Sequence, residues 1–462
     1  MKNCPILTSK LSKALSMRID LPDPAGFAEV FRNTIGIPFD NEVTGITTDS
    51  REVQSGDLYV AITGERVDGH TFLKEVIDRG SNCALVNTVS KELTITQIKV
   101  DNPVKAIGKV ATAWRDQFHI PIIGITGSNG KTSTKELAKH VLSAQYNVHA
   151  TEGNYNTSIG LPLTLLQLSQ IHTASILEMG ANQLGDIAEL CDIAKPTHGV
   201  ITNIAPAHLE GFGSIENIAK TKGALFKKLK NGISFVNVAD HHVKALEVPG
   251  ESISFGLTPE CDFPTDLHHE DDGTITLTID AKDIPTCSVN LSFAKNVIAC
   301  SAIARTLGLQ WQEISERIKS FQPPKGRCEV KNNGSFTIID DTYNANLEST
   351  IAAIDYLQAF SGNGQRIFVF GDMFELGDSS LEQHRNVGEK CNEAALSAVL
   401  TVGQETIATD RAITNTAFHR HFDNKDDLLS SLKNIVNKGD KVLVKGSRGM
   451  QMETIVKAIL TT

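Results

Sequence analysis

Gly124-Ile-Thr-Gly-Ser-Asn-Gly-Lys-Thr132 follows the apolar run Ile120-Pro-Ile-Ile123 and leads into a helical pattern; the fold is decided by this stretch. A buried strand, a tight turn carrying glycines and a helix, in that order, read as a phosphate-binding loop. The glycines let the backbone curl so that its N–H groups face an anion, and the helix start adds the positive end of its dipole. In such a loop Lys131 reaches the outer phosphates and the Thr132 hydroxyl reaches Mg²⁺. Gly127, Ser128, Asn129, Gly130 and Ser133 complete the expected nucleotide contacts. The full pattern G-x-x-x-x-G-K-[ST] asks for glycine at position 125, where this chain has Ile125, so the loop is the variant T-G-x-x-G-K-T. Leu137, Ala138, Val141 and Leu142 give the following helix one apolar face.

Around this loop lie 462 residues, more than one hydrophobic core usually supports. Hydrophobic content of 40%, charged content of 21% and a net charge of −10 describe an ordinary globular chain without the dense cationic surface that coats nucleic acid. Eight cysteines, from Cys4 to Cys391, show no C-x-x-C pair and no metal-finger spacing, as expected of reduced thiols. Met1–Met17 has no continuous apolar core with a cleavage site, and no run of 18 apolar residues occurs anywhere. The expectation is a cytoplasmic protein with no membrane insertion and no nucleic-acid partner.

Upstream of the loop, residues 1–117 alternate short strands and helices. Thr48-Asp-Ser-Arg51 lies in a polar break before strand-like Gly56–Ile62, and Gly64-Glu-Arg-Val-Asp-Gly-His70 forms a charged loop with two glycines. Both are either solvated turns or a site for an anionic, hydroxyl-rich ligand. Downstream, residues 118–325 read as α/β, with apolar runs Ile120–Ile125, Ala174–Leu177 and Gly199–Ile204 as buried parallel strands. Each run ends in polar residues: Thr126 onwards, Glu178-Met-Gly-Ala-Asn182, and Asn203 followed by His208. Ligands of open α/β sheets bind at the carboxyl ends of strands, so these tails should converge. The acidic stretch Glu270–Gly273 reads as a hairpin turn.

Lys222 breaks a pattern. Ser214 can cap a helix whose buried stripe is Ile215, Ile218, Ala219, Leu225, Phe226 and Leu229, and Lys222 falls on that stripe four residues after Ile218. A core-facing lysine must snorkel, pair or serve chemistry. Desolvation lowers its pKa, and a neutral amine can take up CO₂ as a carbamate, in effect a further carboxylate.

Residues 326–462 alternate strand and helix again, with strand-like Phe336–Ile339, Ile367–Phe370, Ala398–Val402 and Lys441–Val444. No G-x-G-x-x-G follows the first of them. Their tails, Asp340–Asn346, Gly371–Gly377 and Lys445-Gly-Ser-Arg-Gly449, are polar and suit the wall of a site. The fold is therefore α/β in three domains: a small α/β N-terminal domain (1–117), a central P-loop-type domain with a mostly parallel sheet (118–325), and a C-terminal Rossmann-like, doubly wound domain without a dinucleotide fingerprint (326–462).

These motifs, in this order, resemble the Mur ligase superfamily of peptidoglycan synthesis. Asp49-Ser50-Arg51, Gly64 and Asp68-Gly69-His70 look like its uridine-nucleotide signature, which implies that Ser50, Arg51, Gly64 and His70 bind a UDP-sugar peptide. Thr126–Thr132 matches the family's own form of the loop, and Gly153-Asn154-Tyr-Asn156-Thr157, Glu178, Asn203 with His208, and Lys222 follow in family order. Gly326-Arg327, Asp341, Tyr343-Asn344-Ala-Asn346, Asp372-Met373, Glu375 and His384 resemble the branch that adds D-alanyl-D-alanine. The resemblance implies an ATP-dependent ligase acting on UDP-N-acetylmuramoyl-tripeptide and D-alanyl-D-alanine as a monomer. Lys131, Glu178, His208, Lys222 and Arg327 would be catalytic, and Thr132, Glu178, His208 and carbamylated Lys222 would hold two Mg²⁺ ions. ATP would also meet Asn296, Arg327 and Asp341. Asn154, Asn156, Thr157, Tyr343, Asn344, Asn346, Asp372 and Met373 would serve the other substrates. The chain departs from the pattern at Phe293-Ala-Lys295-Asn296-Val-Ile-Ala299, where relatives often read G-x-H-N-x-x-N, and at Leu347, where a proline is common. A folylpolyglutamate synthase, a ligase adding the third residue, and a protein in which nucleotide turnover only gates binding are the alternative readings.

Overall fold

The structure, a computed structural model, describes residues 18–39, 41–64 and 67–461. Cys4, the stretch Met1–Met17 and the loop residues Glu65 and Arg66 lie outside the described residues. The chain forms two compact units: one holds the residues through Gly124 with Tyr146–Ala181 and Gly185–His198, the other Ile125–Gln145, Asn182–Leu184 and Gly199–Thr462.

The first unit opens with strands β1 (Arg18–Asp20), β2 (Gly45–Thr47), β3 (Asp57–Val60), β4 (Cys83–Val86) and β5 (Thr96–Lys99), paired in that order, antiparallel at β1–β2 and parallel thereafter. Helices α1 (Pro24–Ile35), α2 (Leu73–Asp78) and α3 (Pro103–Arg115) connect and follow them. Asp23 caps α1 through the Gly26 N–H, with Pro24 in the first turn where a missing N–H costs nothing. Tyr59, Ala84 and Val86 pack with Leu73 and Val76 in one core. The unit also holds the start of β6 (Ile122–Thr126), with α4 (Lys131–Leu142) belonging to the other unit, then β7 (Val148–Ala150), α5 (Gly160–Leu166), β8 (Ala174–Glu178) and α6 (Asp186–Ala194). Here β6, β8 and β7 are sheet neighbours in that order. The Arg115 guanidinium is spent on three carbonyls, those of Ala194, Phe118 and Lys195, which ties the end of α3 to the end of α6.

In the second unit the end of β6 is joined by β9 (His198–Ile201), β10 (Ile233–Asn237), β11 (Glu251–Gly256), β12 (Phe263–His269), β13 (Ile275–Ile279) and β14 (Lys282–Pro285), in the order β14-β13-β12-β11-β10-β9-β6. Pairing is parallel through β10–β11–β12 and antiparallel from β12 to β14. Glu270–Gly273 is the expected hairpin turn, closed by the Gly273 N–H donating to Glu270 O with Gly273 at φ 85°. Helices α7 (Leu209–Phe212), α8 (Ile215–Lys228), α9 (His241–Lys244), α10 (Leu291–Thr306) and α11 (Trp311–Ser320) surround these strands. Leu137, Ala138, Val141 and Leu142 of α4 are fully buried, as their spacing predicts.

The C-terminal part of this unit contains β15 (Glu329–Asn332), β16 (Thr337–Asp341), α12 (Leu347–Ala359), β17 (Arg366–Gly371), α13 (Ser380–Glu393), β18 (Ala398–Val402), α14 (Thr406–Ala412), β19 (Phe418–Phe422), α15 (Lys425–Ile435), β20 (Lys441–Lys445) and α16 (Glu453–Leu460). The sheet order is β15-β16-β20-β17-β18-β19, parallel except at β15–β16. Alternation along β17 shows the double winding. Phe368 and Phe370 enter one core with α12 and α13, while Ile367 and Val369 enter the opposite one with α15 and α16. The edge strand β19 has no apolar run, Phe418, His419 and Arg420 being exposed, so periodicity does not announce it. Among the described residues no helix is long and apolar enough to cross a membrane.

Gly388 lets α13 and α14 approach closely: a Cβ there would stand 2.4 Å from the Thr409 carbonyl oxygen and 2.8 Å from the Ala412 Cβ. Helix propensity alone favours alanine over glycine by roughly 0.5–1 kcal/mol. Overpacking should reverse that sign. Gly388→Ala is expected to destabilise the protein by about 1–3 kcal/mol, read as a lowered urea midpoint of the full chain, and an unchanged or raised midpoint would contradict this packing.

Candidate active site

The phosphate loop explains its own irregularity. Ile125 is a fully buried residue of β6, so the strand runs on to Thr126 and the turn starts only at Gly127. Gly127 (φ 152°) presses against β9's extension, where a Cβ would lie 1.9 Å from the Thr202 Oγ1. Gly130 (φ 79°) begins α4 in the left-handed region that favours glycine. The first intrahelical bond is from the Thr134 N–H to Gly130 O, so the N–H groups of Lys131, Thr132 and Ser133 have no partner within the helix and can meet an anion. Lys131 Nζ donates to Gly127 O at 2.7 Å, folding its ammonium back over the loop.

A set of amides holds the loop from outside. Asn203 accepts the Asn129 N–H on its Oδ1 (2.8 Å), and its carbonyl accepts the Ser128 N–H (3.0 Å). One Glu348 oxygen receives the side-chain amides of Asn129 (2.5 Å) and Asn203 (2.9 Å), while Asn346 donates to Asn129 Oδ1 at 2.8 Å. Ser128 Oγ donates to Ala205 O and accepts the Ala205 N–H. Asn296, on α10, brings its Oδ1 to 3.0 Å from where a Cβ on Gly130 would be.

Arg327 comes next. Its Nη2 donates to Thr132 Oγ1 at 3.1 Å, its guanidinium lies 3.9 Å from the Tyr343 ring centroid, and its buried Nε has no partner among the described residues. Asp341 is engaged by Lys445 Nζ (2.5 Å) and the Cys328 N–H (3.2 Å); Lys445 also donates to Asn344 O. The buried Cys328 thiol is pushed well up by burial and by the Asp341 charge.

Lys222 is 2% exposed, as its place on the α8 stripe predicts. No carboxylate pairs with it among the described residues; its ammonium lies 5.9 Å from the Phe212 ring centroid. Burial, and then the Lys131 charge, hold its pKa well below 10.5. His208 caps α7 in the left-handed region (φ 52°), and its Nδ1 meets Glu375 Oε2; this contact holds the Glu375 carboxyl below its usual range.

Within the first unit, Glu178 ends β8, 3% exposed. Its Oε1 accepts the Asn156 amide at 2.8 Å, and its buried Oε2 has no partner among the described residues. An orphaned carboxylate oxygen of this kind suits a ligand supplied from outside the chain. Thr157 accepts the Leu161 N–H at the start of α5, and Asn154 is exposed in the loop before it. Burial, then Glu52 and Glu152, raise the Tyr155 phenol, which places this loop near the Ser50–Glu52 turn. Ser50 donates to Glu75, Arg51 pairs with Asp49, and Gly64 closes a turn on Val67 O. His70 Nε2 accepts the Asn87 N–H, so the proton on Nδ1 points to Asp68 at 2.6 Å.

Asp372 and Met373 serve the fold more directly than sequence suggests. The Asp372 carboxylate accepts the N–H groups of Gln404, Glu405 and Thr406, fixing the start of α14, and Met373 is buried with its N–H donating to His384 Nε2. The structure thus brings the loop together with Asn203, Asn296, Arg327, Tyr343 and Asn346, and gathers Glu178 with Asn156 separately in the first unit. Glu348 escaped sequence reasoning: an acid in a helix's first turn is ordinary dipole complementation and carries no further signal.

Family comparison covers the chain in three segments: the catalytic-domain model of the Mur ligase family matches residues 42–115, the Mur ligase middle domain 125–304, and the Mur ligase glutamate ligase domain 326–448. A UDP-N-acetylmuramoyl-tripeptide–D-alanyl-D-alanine ligase of Synechocystis sp. is 35% identical over 430 residues, 91% of this chain and 93% of its own. The structure is similar to MurF from Acinetobacter baumannii (TM-score 0.85, 29% identity, 94% and 98% of the two chains). It is also similar to a MurF ligase from Thermotoga maritima in complex with ADP (TM-score 0.81, 30% identity, 90% and 97%).

Because burial lowers the Lys222 pKa, the unfolded chain binds more protons than the folded one between the lowered value and 10.5. Stability should therefore rise with pH across that window, and the buried charge costs stability below it. In ligand-free, CO₂-depleted protein Lys222→Met is expected to raise Tm at pH 7, with the gain shrinking as pH approaches 10.5; relief of about 1 kcal/mol corresponds to roughly 2–4 °C. A lower Tm at pH 7 would sink this account.

Proposed function

This chain belongs to the Mur ligase family, and from that premise we infer how its own residues form an amide bond. It is an ATP-dependent ligase of peptidoglycan precursor synthesis, joining D-alanyl-D-alanine to UDP-N-acetylmuramoyl-tripeptide to give the pentapeptide, ADP and phosphate. The observation that carries this reading is the Arg327–Thr132 contact, in which a cation from beyond residue 326 is seated on the phosphate loop. A ligase needs such a seat, because the acceptor must be brought to the phosphate.

The chemistry runs in two displacements. An oxygen of the tripeptide's terminal carboxylate bonds to the γ-phosphorus as the bond to the ADP oxygen breaks, giving an acyl phosphate. The dipeptide amine then attacks that carbonyl carbon, phosphate leaves, and the amine proton is lost. Lys131 and Arg327 balance the charge on the phosphoryl oxygens, Arg327 through a fork able to bind two of them at once. The N–H groups that open α4 orient the phosphates. Holding three reactants in register can supply roughly 7–11 kcal/mol of the barrier reduction. Ser50, Arg51, Gly64 and His70 take the uridine-nucleotide end of the substrate, and Asn154, Asn156 and Thr157 its peptide.

Mg²⁺ fits the donors on hand: Thr132, Glu178 with its unpartnered oxygen, His208 and a carbamate on Lys222 would hold two ions, which supply charge stabilisation at the phosphates. The neutral amine that burial favours at Lys222 is the form that takes up CO₂. Asn296 and Asp341 are assigned to the nucleotide, and Tyr343, Asn344, Asn346 and Met373 to the wall of the site. The reaction needs one copy of the chain, in the cytoplasm where its nucleotide substrates are made.

Phosphate release from ATP should require both UDP-N-acetylmuramoyl-tripeptide and D-alanyl-D-alanine. Release indifferent to the dipeptide would instead mark a nucleotide-gated binding protein, and release driven by folate and glutamate the rival ligase. Lys222→Ala should lower kcat by on the order of 100-fold or more, as loss of one charge-stabilising group does, with partial rescue by an added short-chain carboxylate. Full activity without rescue would remove the carbamate from the mechanism.

A further inference from the structure

The incoming dipeptide carries one charge besides its reacting amine, the carboxylate at its far end, and nothing assigned so far receives it. Most cations around Tyr343 are already committed. Lys445 is buried against Asp341, Lys331 is paired with Asp340 and Glu329, and Arg327 is engaged by Thr132 and the Tyr343 ring. Arg448 differs. It follows β20 in Lys445-Gly-Ser-Arg-Gly449, and its side chain is 64% exposed. Its partner is Glu453, at 3.0 Å on the surface. An exposed pair of this kind is worth about 0–1 kcal/mol, so a competing carboxylate displaces it cheaply.

The backbone beneath Arg448 is fixed while its head group is not. The Ser447 N–H donates to Asp372 O, Ser447 Oγ accepts the Phe374 N–H, and the Met450 N–H closes the turn on Ser447 O. The Arg448 guanidinium lies 5.9 Å from the centroid of the same Tyr343 ring on which Arg327 stacks. Two guanidiniums thus border one ring, one of them anchored on the phosphate loop. That spacing is on the scale of an extended dipeptide, about 7 Å from end to end. We propose that Arg448 binds the carboxylate of the incoming D-alanyl-D-alanine and so selects a dipeptide with a free C-terminus. A guanidinium holds a carboxylate through two parallel hydrogen bonds, which a point charge or a neutral amide cannot reproduce.

The inference rests on the ligase reading, and its test separates the two. Phosphate release by the full-length protein is titrated with D-alanyl-D-alanine and with D-alanyl-D-alaninamide, for the wild type, Arg448→Gln and Arg448→Lys. In the wild type the amide should show a KM on the order of 10- to 100-fold above the acid, the range of a hydrogen-bonded charge. Arg448→Gln should raise the KM for the acid by a similar factor and bring the acid-to-amide ratio close to one, leaving the KM values for ATP and the UDP-sugar peptide unchanged. Arg448→Lys should recover part of the ratio. Because each ratio is internal to one protein, loss of folded material does not move it. An Arg448→Gln protein that keeps the wild-type ratio overturns the proposal. A wild type with no dipeptide-dependent release overturns the ligase reading itself, and the proposal with it.

Discussion

The arrangement of the second unit depends on how the phosphate loop is held. A loop built to bind anions exposes unpaired N–H groups, and on its own it would be floppy. Here Asn203 takes two of its backbone donors, Ser128 locks onto Ala205 from within, and Glu348 gathers the amides of Asn129 and Asn203 on one oxygen. The loop is therefore pre-shaped before any phosphate arrives, and the donors left over are those at the start of α4. The groups that shape it come from both sides of residue 326, so the geometry of the nucleotide seat and the position of the C-terminal segment are set by the same hydrogen bonds.

Much of this was legible in the residues. The strand, turn and helix around Lys131, the buried stripe of α8 with Lys222 on it, and the doubly wound C-terminal sheet all follow from spacing, because burial on one face forces a period. What periodicity cannot carry stayed hidden. The edge strand β19 is half polar because one side faces solvent, and Glu348 resembles any acid at a helix start. The missing glycine at 125 was a mismatch on paper only, since a strand residue buried on both faces needs a side chain and no special backbone angle.

Lys222 shows the tension between stability and chemistry. A lysine 2% exposed, facing an aromatic ring and with no carboxylate beside it, is a poor choice for holding a fold together. The strain makes sense if the side chain's working form is not an ammonium, because the environment that penalises the cation favours the neutral nucleophile. His208, held with positive φ against Glu375, is a second local cost accepted in the same neighbourhood.

Asp372 bears on what loss of function means here. It stands in a stretch that looks like a ligand contact, yet its carboxylate is used up by three backbone N–H groups at the head of α14. Removing it would let the Gln404–Thr406 corner drift and loosen Ser447, whose N–H leans on the Asp372 carbonyl, and with it the turn that presents Arg448. An inactive protein changed at that position would therefore report a misplaced scaffold, not a lost handshake with substrate. In a wall of this kind, the keystone and the binding surface are different residues.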